Sequence, residues 1–195
     1  MRDMKNLVMV GLVLAVGAMT VQATPIIDQD FDGLTLGDYG VGDEASLGPA
    51  RYVTGTIAVV DDGPFAGAGN QSMRISDGAS GDGRIQYRGA NPGLSSGVVS
   101  LDFNVVTGMF IINAVDDYDT GAYIEIVADL RPGNTTIRYA QDDGTNVNFD
   151  QAVAQNTDYS LAINFDTGSD TFSATLNGTP LTVGVQTSFS FKKWS

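Results

Sequence analysis

TDYSLAINFDTGSDTFSATLNGTPL, residues Thr157 to Leu181, sets how the rest of this chain is read. Tyr159, Leu161, Ile163 and Phe165 alternate with Ser160, Ala162, Asn164 and Asp166, and after Thr167-Gly168-Ser169 the alternation resumes at Phe172, Ala174 and Leu176. A period of two places apolar side chains on one face of a pleated strand and polar ones on the other. Asn177-Gly178 is the pair that a tight type I′ turn favours, since both central residues need positive φ. Pro180 cannot donate to a ladder, so the segment beyond the turn is a short or edge strand. Two paired strands with one apolar face need a second layer to cover it.

Upstream, Val98–Val106 alternates in the same way, with Val99, Leu101, Phe103 and Val105 on one face. Gly108 marks a bulge or bend, and Met109–Ala114 is apolar on both faces, which predicts a central strand. Ala122–Leu130 reads as a strand, with Ile124, Ile126 and Ala128 alternating with Tyr123, Glu125, Val127 and Asp129 until Pro132-Gly133 ends it. Further strands are predicted at Arg51–Asp61, Gln71–Ser76, Arg84–Arg88, Thr135–Gln141 and Val147–Asp150, separated by Asp/Gly-rich turns. No stretch after the first 23 residues has helical period. The prediction is an all-β domain of two packed antiparallel sheets.

Met1–Ala23 has the layout of a secretory signal peptide: Arg2 and Lys5, an apolar run from Leu7 to Val21, and the small-x-small ending Val21-Gln22-Ala23. Export and cleavage before Thr24 are expected; no second apolar run occurs, so no membrane insertion is expected after cleavage. Without Arg2, Lys5 and Asp3 the balance is 8 basic against 22 acidic residues, which argues against nucleic acid and anionic membrane surfaces as partners. Cysteine is absent, so an exported chain must hold together by core area without a disulfide. Histidine is absent too, which removes the usual general base and the commonest metal ligand.

The order Gly69–Ser76 (GNQSMRIS), Val98–Val105 (VVSLDFNV), Gly121–Leu130 (GAYIEIVADL) and the opening hairpin resembles the concanavalin A-like lectin/glucanase superfamily, in its laminin G-like form from exported bacterial proteins. Asp30-Phe31-Asp32-Gly33 is similar to the start of such domains. The resemblance covers about Ile26 to Val185 and implies a jelly-roll sandwich over residues 24–186, with a concave sheet face often used for carbohydrate. It departs from the pattern at residues 187–195. Lysine is missing between Lys5 and Lys192-Lys193, so the end reads either as truncated or frameshifted, without its closing strands, or as a short closing strand Thr187–Phe191.

The catalytic relatives set a test of chemistry. Glucanases of that superfamily carry Glu-x-Asp-x-x-Glu on one strand, whereas glutamate occurs here only at Glu44 and Glu125, and Glu125 is followed by Ile126-Val127-Ala128-Asp129. A nucleophilic triad needs the base that the missing histidine usually supplies, and zinc in its usual structural forms needs the missing Cys and His. The expectation is a non-catalytic module. Calcium needs only oxygen ligands, and Asp28, Asp30, Asp32 and Gly33 match positions 1, 3, 5 and 6 of an EF-hand-type loop. Position twelve is Tyr39 rather than the required Glu, so a strand running into a turn is the competing reading.

For a ligand, Arg84, Gln86 and Arg88 fall on one side of their strand, Tyr123 and Glu125 on one side of theirs, and Arg138 on a neighbour. If these strands share a sheet they form a polar stripe for the hydroxyls or uronate carboxylate of a polysaccharide, with Tyr123 as a stacking ring. The competing reading is a solvated outer face with Arg138 opposite Glu125. Tyr118, at the tip of the Asp116–Asp119 loop, is a second candidate for carbohydrate or calcium.

Overall fold

A computed structural model describes residues 35–39, 50–54, 56–60, 72–76, 84–87, 95–117 and 122–193. The predicted signal peptide, the Asp28, Asp30 and Asp32 loop, Arg88 and Tyr118 lie outside these residues. In chain order the strands are β1 (Gly37–Tyr39), β2 (Ala50–Thr54), β3 (Thr56–Val60), β4 (Ser72–Ser76), β5 (Arg84–Tyr87), β6 (Ser96–Asn104), β7 (Gly108–Asp117) and β8 (Ala122–Leu130). They continue as β9 (Thr136–Ala140), β10 (Asn146–Ala152), β11 (Asp158–Asp166), β12 (Thr171–Leu176), β13 (Thr179–Pro180), β14 (Phe189–Ser190) and β15 (Lys192–Lys193). No helix occurs among the described residues, and every strand pair is antiparallel.

The opening stretch becomes β11 and β12, in register from Leu161 opposite Leu176 to Asp166 opposite Thr171. Burial alternates along β11 as the sequence predicts, with Tyr159, Leu161, Ile163 and Phe165 inside. β6 adds to the other side of β11 from Asp158 opposite Asn104 to Asp166 opposite Ser96. The turn is held at Asn177 (φ 50°) and Gly178 (φ 75°), where Asn177 Oδ1 also accepts a 2.7 Å bond from the Ser160 amide. Replacing Asn177 with alanine removes that bond and the side-chain amide that lets asparagine tolerate the left-handed region, so urea denaturation is expected to show a loss of about 1–2 kcal/mol.

The second large sheet has β8 in its middle, with β7 along one edge and β9 followed by β10 on the other. Met109–Ala114 was predicted to be the central strand, and here the structure differs. Among the described residues β7 pairs only with β8, and Met109 and Ile111 stay about half exposed on the outer side while Ile112 and Ala114 enter the core. β8 is the strand buried on both faces. Gly108, with φ 98°, opens β7 where the bend was expected. The predicted strand Arg51–Asp61 is also two strands: β2 pairs with β5 in a two-stranded sheet, and β3 lies between β1 and β4 in a three-stranded one.

The two five-stranded sheets face each other across one core, as a β-sandwich does. Leu161, Ile163, Phe165, Phe172 and Ala174 come from one layer, and Ile112, Ile124, Ile126, Ile137 and Tyr139 from the other. The end of the chain enters the same core. β14 pairs with β12 in one sheet, and two residues later β15 pairs with β8 in the other. Phe191 points inward between them, buried like Phe189. A single strand at Thr187–Phe191 is therefore replaced by two short pairings, one to each sheet.

The core leaves little slack at Gly97. It lies opposite Phe165, and a β-carbon there would meet the ring Cζ at 2.8 Å and Cε1 at 2.9 Å. Gly97→Ala is expected to force the Phe165 ring out of its place at about 1–3 kcal/mol, read as a lower urea midpoint with unchanged slope.

Candidate functional site

The outer faces of the two sheets differ in chemistry. On the β6–β11–β12 sheet most outward residues are short and polar, namely Ser100 and Asp102, then Ser160 and Asn164, then Ser173 and Thr175, with Ala162 and the exposed Val98 among them. Their bonds run strand to strand, such as Ser160 Oγ to the Asp102 carboxylate and Asn104 Nδ2 to Asp158 Oδ1 at 2.8 Å. This is a solvated sheet surface.

The outer face of the β7–β8–β9 sheet carries charge that is shielded from water. Asp129 lies on β8 with 0 % exposure, although it faces away from the sandwich core. Arg131, just past the end of the strand, donates from Nε (2.9 Å) and Nη2 (2.7 Å) to its two oxygens. Arg138, on β9, adds a third contact from Nη1 at 3.2 Å, and its Nη2 lies 3.6 Å from the Met109 sulfur. The Arg131 guanidinium, which outweighs the opposing effect of burial, holds the Asp129 carboxyl well below the usual carboxylate range. Asp129 is therefore an anion at any physiological pH.

At the other end of β8, Lys192 Nζ donates to Glu125 Oε1 at 3.2 Å and stands 5.3 Å from the Tyr123 ring centre. The Tyr123 hydroxyl first, and the Glu125 carboxylate after it, raise the Lys192 pKa against the opposing effect of burial. Lys193 pairs with Asp170 at 3.7 Å across the mouth of the sandwich.

These contacts place the residues singled out from the sequence. Tyr123, Glu125 and Arg138 do come to one face of one sheet, because β8 and β9 are neighbours. Arg84 and Gln86 do not join them; they lie on β5, which pairs with β2. Arg138 stands opposite Val127 rather than Glu125, and the register sends it to Asp129. Glu125 takes Lys192 instead. Tyr123 is only 5 % exposed, so its ring has no open face for stacking.

Sequence reasoning passed over Asp129, Arg131 and Lys192. An Asp between Ala128 and Leu130, two residues before an Arg, was the available signal for the first pair. Nothing local could announce Lys192, whose partner is 67 residues away in the chain.

Two surface depressions flank this sheet. One of about 290 Å³ lies between the β9–β10 turn and the C-terminal segment, lined by Tyr139, Gln141, Asp142, Asp143, Gln186 and Ser190. The other, of about 560 Å³, lies against the β8–β9 turn and includes Arg131, Asn134 and Gln155. Among the described residues no group of three or more His, Cys, Asp or Glu side chains could hold a metal ion, and no helix is long and apolar enough to cross a membrane. No family model, curated protein or solved structure matches the chain.

Proposed function

We propose that this chain is an exported, non-catalytic, lectin-like β-sandwich module that binds polysaccharide, with a concanavalin A-like jelly-roll arrangement as its scaffold. The observation that carries the non-catalytic part is the state of Asp129. A carboxyl that could serve as a general acid near neutral pH needs a raised pKa, and the one buried carboxylate described here is held ionised by Arg131 and Arg138. Glu125, the other carboxylate on the same face of β8, is neutralised by Lys192. The signal-like segment Met1–Ala23 supports export.

Carbohydrate suits the short hydrogen-bonding side chains on the outward face of the β6–β11–β12 sheet. Calcium assistance rests on the Asp28, Asp30 and Asp32 spacing and on the acidic Asp116–Asp119 loop. The competing reading is a structural or adhesive surface domain with no small ligand. It is favoured by the way Arg138, Glu125 and Lys192 are engaged in ion pairs rather than standing open.

Affinity gels loaded with neutral and uronic-acid polysaccharides, run with and without EDTA, separate the two. Retardation on at least one polysaccharide is expected. Free migration on all of them, with no calcium-dependent shift in melting temperature, rejects the carbohydrate reading in favour of the structural one.

A further inference from the structure

The depression between the β9–β10 turn and the C-terminal segment has a buried hydroxyl at its wall. Tyr139 is 2 % exposed, and its ring sits in the aromatic core, 4.7 Å from Phe189 and 5.2 Å from Phe149. Its oxygen emerges at the end of the sandwich and accepts a 3.0 Å bond from Gln141 Nε2. That bond orients the phenol, and among the described residues no acceptor takes its proton. Gln141 is itself held in place, because the other end of its amide meets Thr145 Oγ1 at 3.0 Å.

The opposite wall supplies complementary groups. Gln186 commits its Nε2 to the Ser188 carbonyl at 2.7 Å, which leaves its side-chain oxygen as an acceptor. Ser190 contributes a hydroxyl able to donate or accept, and Asp142 an exposed carboxylate. Asp143 Oδ1 is already occupied by the Thr145 amide (2.8 Å) and hydroxyl (2.6 Å), which together lower its pKa.

This set selects a ligand by chemistry. Two carboxylates repel an anion, and the chain as a whole is acidic. The proton of Tyr139 opposes a bare cation, which needs oxygens presenting lone pairs. An apolar ligand would strand four polar groups. A neutral polyhydroxyl compound satisfies them all, since each of its hydroxyls both donates and accepts. The volume, about 290 Å³, lies at the lower end of small-ligand sites, of order 300–1,000 Å³.

We propose that Tyr139, Asp142, Gln186 and Ser190 form a shallow subsite for one unit of a neutral sugar. This rests on the carbohydrate reading and moves it from the sheet face to the end of the sandwich. Part of the site is made by the same segment that closes the core.

The test is a ¹H–¹⁵N titration of the chain from Thr24 onward with the methyl glycosides of glucose, galactose and mannose, and separately with calcium chloride. Saturable shifts are expected in the Gln141 and Gln186 side-chain amides and in the Asp142–Thr145 backbone with at least one sugar. Tyr139→Phe removes one neutral hydrogen bond and should weaken that binding about 3–10-fold, and Asp142→Ala, which removes a charged acceptor, by about 10-fold or more. Asp142 is an exposed turn residue, so it carries the test should Tyr139→Phe not fold. Shifts with calcium and none with sugars, or sugar binding unchanged in Asp142→Ala, overturn the subsite. Gel retention without shifts here overturns the subsite while the lectin reading stands; retention on no polysaccharide removes both.

Discussion

Phe189→Ala is expected to destabilise the sandwich by about 3–5 kcal/mol, which for a domain of this size is a large share of its total stability. The ring is 1 % exposed and packs against Tyr139 (4.7 Å), Phe149 (5.1 Å) and Phe172 (5.6 Å), so its loss opens a cavity touching both sheets. Phe191 should behave similarly, since it is equally buried and lies 6.5 Å from Phe172. The two lysines beyond it should matter much less. Lys193 and Asp170 are both about half exposed, and such pairs contribute roughly 0–1 kcal/mol. Urea denaturation of Phe189→Ala beside Lys193→Ala separates the two contributions. Equal, small effects from both would show that the C-terminal segment is not part of the core.

Asp129→Leu is expected to cost about 3 kcal/mol, because it leaves Arg138 on the sheet face without its carboxylate. Breaking a buried pair costs about 3–5 kcal/mol in general; the lower figure applies because Arg131, 51 % exposed, can turn to water. Arg138 is 21 % exposed and cannot do so as freely, and its Nε already lacks a partner among the described residues. Asp129→Asn keeps the shape and part of the hydrogen bonding and should lose less.

The sign of the pH dependence comes from the direction of the Asp129 shift. A carboxyl whose folded pKa lies below its unfolded one binds fewer protons when folded. Its contribution is therefore fully present above the unfolded value, about 4, and is lost as pH falls below that towards the folded value. Wild-type stability should drop more steeply than that of Asp129→Leu between about pH 4 and pH 2. Parallel curves for the two proteins would mean that Asp129 is not held as an ion by its arginines.

Much of the sheet architecture was legible in residue order alone. Alternation assigned Tyr159, Leu161, Ile163 and Phe165 to the interior, and Asn177-Gly178 marked the turn, because both depend only on residues close in the chain. The exchange of roles between β7 and β8 was not legible. Met109–Ala114 looks central by composition, but whether a strand has one neighbour or two is settled by strands that arrive from elsewhere in the chain. The candidate site shows the same division. Tyr123, Glu125 and Arg138 could be placed on outward faces from their spacing, whereas their partners could not.

Periodicity and composition were enough to specify antiparallel strands with defined inner and outer faces, in a chain with neither histidine nor cysteine for catalysis. Both are local quantities, readable without knowing what any strand meets. It took the folded chain to show that Arg138 meets Asp129, that Lys192 meets Glu125, and that Phe189 and Phe191 close the core between two sheets. Those contacts depend on strand register and on which segments pair. A period of two states which way a side chain points and is silent about what stands opposite.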